Sequence, residues 1–187
     1  MEVEVTAEAK DKRLNRLVAV TVVALSVCTG LGNIKDGNIV QAMQQAKADA
    51  VDTWSEYQAT RIKLHVAEVG RTELAIVAGR SGPQAARTQI AALDAEIRKY
   101  HILTPKLAAK ARGYEERYDA MNVHDDQFDA SEALMATAIS MAAVAALAEN
   151  FWLLVSSWIC GSIGIFFGVC GFAGLGFHPD ILSKFLG

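Results

Sequence analysis

The feature that most constrains this chain is an apolar run near its C-terminus, residues 151–177, which contains no Asp, Glu, Lys or Arg. As a helix this run is about 40 Å long, whereas the hydrocarbon core of a bilayer is about 30 Å thick. Trp152 lies near one end, where an aromatic ring would meet the lipid headgroups. The run therefore predicts a transmembrane helix.

Two further apolar segments precede it. Residues 14–34 are long enough as a helix to cross a bilayer core. Residues 132–148 are rich in alanine, so their own tendency to enter lipid is weak, and a buried helix of a soluble protein remains the alternative. Because only residues 148–150 separate this segment from the third run, we expect the two to form a tight helical hairpin within the membrane.

The region between these segments is polar and nearly neutral. Between Asn33 and Ser131 there are thirteen Lys or Arg and fourteen Asp or Glu. No basic stripe of the kind that binds nucleic acid stands out, so no nucleic-acid partner is expected.

Residues 38–77 contain no proline and only Gly70, and their composition favours a helix. The stretch "GRSGP" at residues 79–83 predicts a turn, because Pro83 suits the first position of a new helix. A helix that returns to the membrane would nearly match the outgoing one in length. Pro105 interrupts the return path, so the helix kinks there, Thr104 caps a fresh helix, or the region folds at Pro105 into a compact three-helix bundle.

We therefore predict an all-α membrane protein with three transmembrane helices and a long, coiled-coil-like helical hairpin between the first and the second. The predicted boundaries are a polar N-terminal tail at 1–13, transmembrane helices at 14–34, 132–148 and 151–177, the hairpin at 35–131, and a C-terminal tail at 178–187.

Small residues on the third span repeat at intervals of four and three, which places them on one helix face. Such a face lets membrane helices approach closely. Three alanines on the second span provide a matching surface. The predicted helix-packing seam consists of Ser157, Gly161, Gly164, Gly168 and Gly171 with Ala138, Ala142 and Ala146.

Catalytic and metal-binding motifs are sparse in this sequence. It contains no glycine-rich phosphate loop, Cys-x-x-Cys pair, zinc-type histidine pair or nucleophile elbow, so neither an enzyme nor a cofactor is expected. A weak candidate for a divalent cation is the stretch "HDDQFDASE", with His124, Asp125 and Asp129. The preferred interpretation is solvated charges, with Asp129 and Glu132 forming a capping box for the second span.

Two stretches carry a family resemblance: "NRLVAVTVVALSV" at residues 15–27 and "QAMQQAKADAVDTWSEYQATRIKLHV" at 41–66. Together with the apolar C-terminal pair, they resemble the bacterial membrane family called domain of unknown function 4337, most specifically around Trp54, Tyr57 and Gln58. The resemblance implies a bacterial inner-membrane protein. It implies no catalytic residue at any position.

Basic residues near the first span predict its direction. Four of them flank the start of the span while only Lys35 lies close on its other side, which predicts an N-terminus in the cytoplasm and a hairpin in the periplasm. Glu2, Glu4 and Glu8 dilute the positive region typical of a signal peptide, so we expect an uncleaved anchor. These four basic residues are Lys10, Lys12, Arg13 and Arg16.

These features lead to two functional hypotheses. The first is a non-enzymatic scaffold in the lipid bilayer that self-associates or serves as an accessory subunit of a larger membrane complex. The alternative is a cation-conducting homo-oligomeric channel. In that case Asp125 and Glu132 would form an acidic ring at the membrane entrance.

Overall fold

The structure, a computed structural model, describes residues 2–81 and 84–176. Helix α1 spans Glu2–Ser81, α2 spans Gln84–Leu147 and α3 spans Phe151–Ala173, and the described residues contain no strand. The all-helical prediction is confirmed for this part of the chain. Each of the three helices includes a stretch long and apolar enough to cross a membrane.

The predicted boundaries fall differently on these helices. The predicted tail and first span, from residue 2 onward, belong to the single helix α1. The predicted turn at 79–83 includes residues 82 and 83, which lie outside the described residues, as does the predicted tail at 178–187. Helix α2 ends at Leu147 and α3 begins at Phe151, as a tight hairpin between them requires.

Helix α2 continues through Pro105 without interruption. The Thr104 hydroxyl donates to the Tyr100 carbonyl across 2.7 Å, so Thr104 is an interior helix residue and the prediction of a cap there is wrong. Proline removes one backbone hydrogen bond, but the following turn packs Leu107 and Ala111 into the interior and offsets that cost. The region therefore does not fold back at Pro105.

The chain divides into two compact units, which are described separately. Unit 1 comprises the described residues of Met1–Met43 and Ala120–Gly187, and unit 2 comprises Gln44–Asp119.

In unit 1, α1, α2 and α3 pack around two apolar clusters. One contains Leu14, Val18, Ala142, Ala145 and Leu154, and the other contains Leu25, Met135 and Ala138. Alanine dominates the contribution of α2, which allows its backbone to approach both neighbours.

The α2–α3 turn of unit 1 is held by local hydrogen bonds. Asn150 donates its backbone N–H to the Ala145 carbonyl, and its side chain accepts from the N–H of Trp152 across 2.9 Å. Glu149 adopts a left-handed conformation with φ 48°. The Asn150 side chain thus caps α3 at its N-terminus, where backbone N–H groups lack partners within the helix.

In unit 2, α1 and α2 run antiparallel, and polar side chains pair across them. Arg71 Nε lies 2.7 Å from Asp94 Oδ1, and Trp54 Nε1 donates to Glu115 Oε1 across 2.8 Å. His101 lies opposite Glu68. Small side chains fill the interface between the two helices: Ala46, Ala50, Thr53, Thr60, Ala67 and Ala111.

Candidate functional site

Three glycines of the predicted seam on α3 contact other helices of the same chain. A Cβ built on Gly161 would lie 3.0 Å from Leu25 Cδ2 of α1. A Cβ on Gly164 would lie 3.1 Å from the Ser131 carbonyl oxygen of α2. A Cβ on Gly171 would lie 2.8 Å from the Phe128 ring. The contact is tightest at Gly171, where a Cβ would lie closer to the ring than side chains normally approach, and at Gly161 and Gly164 the neighbouring atoms would have to shift.

The remaining members of the seam lie at the same α2–α3 interface. A Cβ on Gly168 would lie 2.9 Å from Ser131 Oγ. Ser157, Ala138 and Ala142 are fully buried, and Ala146 is half-buried. The seam closes the three-helix packing of one chain, so it is not a free surface for a second copy.

Two buried serine hydroxyls tie α2 to α3. Ser131 Oγ donates to the Gly164 carbonyl across 2.8 Å, and Ser157 Oγ donates to the Ala138 carbonyl across 2.6 Å. The two bonds run in opposite directions between the helices. In an apolar environment each one satisfies a donor that would otherwise be costly to bury.

Gln127 fixes the end of α3 to α2. Its side chain is fully buried, and Nε2 donates to the Leu175 carbonyl across 2.7 Å. His124 Nδ1 lies 3.1 Å from Gln127 Oε1. Phe128, the next residue of α2, packs edge-on against Phe172, with centroids 5.2 Å apart.

Three acids gather between α1 and α2 in unit 1 and are called here the carboxylate cluster: Asp36, Asp125 and Asp129. Burial, followed by the negative charges of Asp36 and Asp129, raises the pKa of Asp125 from 3.8 to about 6. Burial is also the main reason that the pKa values of Asp36 and Asp129 are raised.

A hydrogen bond joins Asp36 and Asp125, and it favours a proton on Asp125 and a charge on Asp36. Asp36 Oδ1 is buried and has no hydrogen-bond partner among the described residues. The cluster therefore holds protons at a pH where ordinary carboxyl groups are ionised.

No group of three or more His, Cys, Asp or Glu among the described residues is arranged to hold a metal ion. The weak cation candidates do not converge, because His124 contacts Gln127 whereas Asp125 contacts Asp36. The negative charge of Asp129 acts on Asp125 and raises its pKa. The stretch therefore has the composition of a cation site without its geometry.

The capping box predicted from Asp129 and Glu132 is wrong. Helix α2 runs continuously through both residues, so no helix begins there and no N-terminal N–H groups need a cap. Glu132 is exposed and accepts a hydrogen bond from Asn33 Nδ2 across 3.4 Å. Both candidate ring acids therefore contact α1 of their own chain: Asp125 contacts Asp36, and Glu132 contacts Asn33.

Comparison with known proteins places the chain in a family. Residues 14–174 match the family model described as Domain of unknown function (DUF4337). The chain belongs to this family. The match begins at Leu14, in the interior of unit 1, and ends at Gly174, which caps the C-terminus of α3. The DUF4337 region therefore includes all three apolar helices. No curated protein and no solved structure matches the chain.

Sequence reasoning missed Asp36, Gln127 and Phe128. A signal for Asp36 was present, because it lies just past the first apolar run and Asp125 lies just before the second. Antiparallel spans bring such positions to one level. Gln127 and Phe128 carry no comparable signal, since their contacts are near the C-terminal end of α3.

Proposed function

We propose that this DUF4337 protein is a non-enzymatic scaffold of the bacterial inner membrane, which self-associates or serves as an accessory subunit of a larger membrane complex. The observation that carries the proposal is the use of buried polar side chains in unit 1. Gln127, Ser131 and Ser157 are each bonded to a backbone carbonyl on another segment. Groups engaged in this way hold helices together and are not available to act on a substrate.

Exposed apolar side chains support insertion in lipid. On α1, the side chain of Ile34 is 69% exposed and that of Val23 is 64% exposed. On α3, Ile159 and Phe166 are similarly open. Water would penalise this much apolar surface, whereas lipid solvates it. We propose that all three helices cross the membrane.

The proposed orientation places the N-terminus in the cytoplasm and unit 2 in the periplasm. Lys12, Arg13 and Arg16 are exposed beside the first apolar stretch, as cytoplasmic anchoring charges would be. A variant with Gln84→Cys, built with the native cysteines replaced by alanine, should react with a membrane-impermeant maleimide in intact spheroplasts.

Lys12→Cys in the same background is the matched control and should react only after lysis. The opposite pattern, with Lys12→Cys labelled in intact cells, would reverse the orientation. Labelling of both positions in intact cells would contradict insertion of the first span.

Native mass spectrometry of the detergent-solubilised protein tests the scaffold role. We expect either several copies of the chain or a stable complex with another membrane protein. A monomer without partners, across several mild detergents and in lipid nanodiscs, would remove the proposal.

The cation-channel alternative has less support. Asp125 is engaged with Asp36 of its own chain, and Glu132 accepts from Asn33, so neither is left to form a ring. The channel alternative is tested by measuring cation flux into liposomes that contain either the parent or the double variant Asp125→Asn/Glu132→Gln. Flux in the parent that the double variant abolishes would favour the channel over the scaffold.

A further inference from the structure

Helix α1 carries a second apolar face in unit 2. Its buried face includes Thr53, Thr60 and Ala67, which pack against α2. At about 100° per residue, the apolar residues on the opposite side form a stripe, in which the polar residues Ser55 and Gln58 separate Val51 from the others. We call this stripe the α1 outer face. It consists of Val51, Ile62, Val66, Val69 and Ile76, which are 43% to 66% exposed, together with Glu73.

A helix with one apolar face needs one partner, whereas α1 in unit 2 has two such faces. Ile62 is 66% exposed and Val66 is 64% exposed. Lipid is not the occupant if unit 2 lies in the periplasm, as proposed above. Exposed apolar stripes of this length on soluble regions mark protein interaction surfaces.

Helix α2 carries a complementary face in unit 2. Its buried side includes Leu107 and Ala111, and helical spacing places a line of exposed residues opposite them, four of which are Ala or Gly. A Cβ on Gly113 would meet nothing within 4 Å. We call this line the α2 outer face. It consists of Ala91, Ala95, Arg98, Ile102, Ala109 and Gly113, all exposed.

The two outer faces differ in charge as well as in size. The α1 outer face carries Glu73, and Asp52 and Lys63 lie at its edge, with Lys63 near the level of Lys106. Basic side chains lie on or beside the α2 outer face, with one acid among them. These residues are Arg98, Lys99, Lys106 and Arg117, with Glu116.

We propose that a second copy of this chain docks here, with the α1 outer face of one copy on the α2 outer face of the next. The proposal rests on the membrane insertion proposed above, because insertion in one direction makes α1 of one copy antiparallel to α2 of its neighbour. Bulky side chains then meet small ones across the interface.

The register within one chain supports this pairing. Because Glu68 lies opposite His101, Glu73 falls within one helical turn of the level of Arg98. Because Trp54 lies opposite Glu115, Asp52 falls near the level of Arg117. If the neighbouring copy sits at the same depth in the membrane, both acids meet a basic partner.

The two other ways of pairing these helices between copies, α1 with α1 and α2 with α2, place like charges together. Pairing α1 with α1 would bring Glu73 next to Glu73 of the other copy, and pairing α2 with α2 would do the same for Arg98. Like charges in an interface disfavour an arrangement. Since the two outer faces are different, the favoured contact is heterologous and repeats from copy to copy.

Cysteine cross-linking between two differently tagged copies tests the pairing. Val66 and Ile102 are chosen because Glu68 lies opposite His101, which puts them at similar levels on the two outer faces. One copy carries Val66→Cys and the other Ile102→Cys, both with the native cysteines replaced by alanine. In one chain the two positions face opposite sides, so a cross-link forms only between copies.

We expect a cross-linked pair that contains both tags when the two variants are co-expressed and oxidised in membranes. Each variant expressed alone is the control and should remain largely uncross-linked. Val66→Cys cross-linking with itself as strongly as with Ile102→Cys would overturn the proposal in favour of α1–α1 contact. No cross-link in any combination would also overturn it.

A charge exchange supplies an independent test. Glu73→Arg and Arg98→Glu should each weaken association about tenfold or more, because each replaces an attraction with a repulsion. The double variant should recover most of the loss. Glu56→Arg changes the same charge on an exposed position away from the outer face and should leave association unchanged.

Native mass spectrometry of the parent and of the charge variants distinguishes a failure of this interface from a failure of the proposed scaffold role. If the parent contains several copies but neither charge variant changes their number, this interface is wrong while the scaffold stands. If the parent is a monomer without partners, both fail.

Discussion

Replacing Gly171 by alanine tests whether the α2–α3 contact requires glycine. The new Cβ would lie 2.8 Å from Phe128 Cε2 and 2.9 Å from Phe128 Cζ. Carbon atoms in contact prefer about 3.5–4.0 Å. The Phe128 ring has little room to retreat, because it is 3% exposed and packs edge-on against Phe172. Either the ring or helix α3 must move.

The expected cost follows from two opposing contributions. Overpacking a buried contact costs about 1–3 kcal/mol. Alanine in a helix gains back about 1 kcal/mol relative to glycine. Gly30→Ala is the matched control, because a Cβ at Gly30 meets nothing within 4 Å. The propensity gain is common to both variants, so they should differ by the overpacking cost, about 1–3 kcal/mol.

Unfolding in mixed micelles, followed by tryptophan fluorescence during titration with sodium dodecyl sulfate, measures this difference. Gly171→Ala should unfold at a lower denaturant fraction than the parent, and Gly30→Ala at an equal or higher fraction. Adding Phe128→Leu to Gly171→Ala should cost less than the sum of the two single changes, because the ring that clashes is gone. Equal stability of Gly171→Ala and Gly30→Ala would refute the packing argument.

Three further predictions use the same unfolding assay. Because the pKa of Asp125 is raised to about 6 from 3.8, the folded protein binds more protons than the unfolded chain between about pH 4 and 6, and its stability should fall as the pH rises through that interval. Asp125→Asn should make stability less dependent on pH and should raise the free energy of unfolding at pH 7 by about 1 kcal/mol, a value already reduced for solvent screening. A parent protein whose stability rises over this pH interval would contradict the prediction. Ser157→Ala should cost about 1 kcal/mol, because it removes the bond to the Ala138 carbonyl, and no loss would contradict that role. Arg71→Ala should change stability by less than about 0.5 kcal/mol, because its contact with Asp94 is exposed, and a loss above 1 kcal/mol would contradict this.

Features that depend on local composition were predictable from the sequence. The uncharged run that became α3 and the alanine-rich end of α2 were identified by hydropathy, because lipid solvation depends on a segment's own side chains. The glycine repeat on α3 predicted close packing, since helical spacing alone puts Gly161, Gly164 and Gly171 on one face.

Features that depend on a neighbour were not predictable in the same way. Pro105 is a strong local signal for a helix break, yet tertiary packing of Leu107 and Ala111 keeps α2 continuous. The capping box predicted at Asp129 is wrong because α2 is also continuous through that residue. The contact between Asp36 and Asp125 joins two helices, so no spacing within either helix reveals it.

If the three helices cross the membrane as proposed, the short α2–α3 turn has a consequence for how the chain is inserted during synthesis. The bonds of Ser131 and Ser157 join segments that leave the ribosome in close succession. These two helices can therefore enter the bilayer as one hairpin whose hydroxyl groups are already satisfied. The first span is made earlier, but its packing partners on α3, such as Gly161 against Leu25, do not yet exist. We expect α1 to wait in lipid alone and to dock last, although it precedes α2 and α3 in the chain.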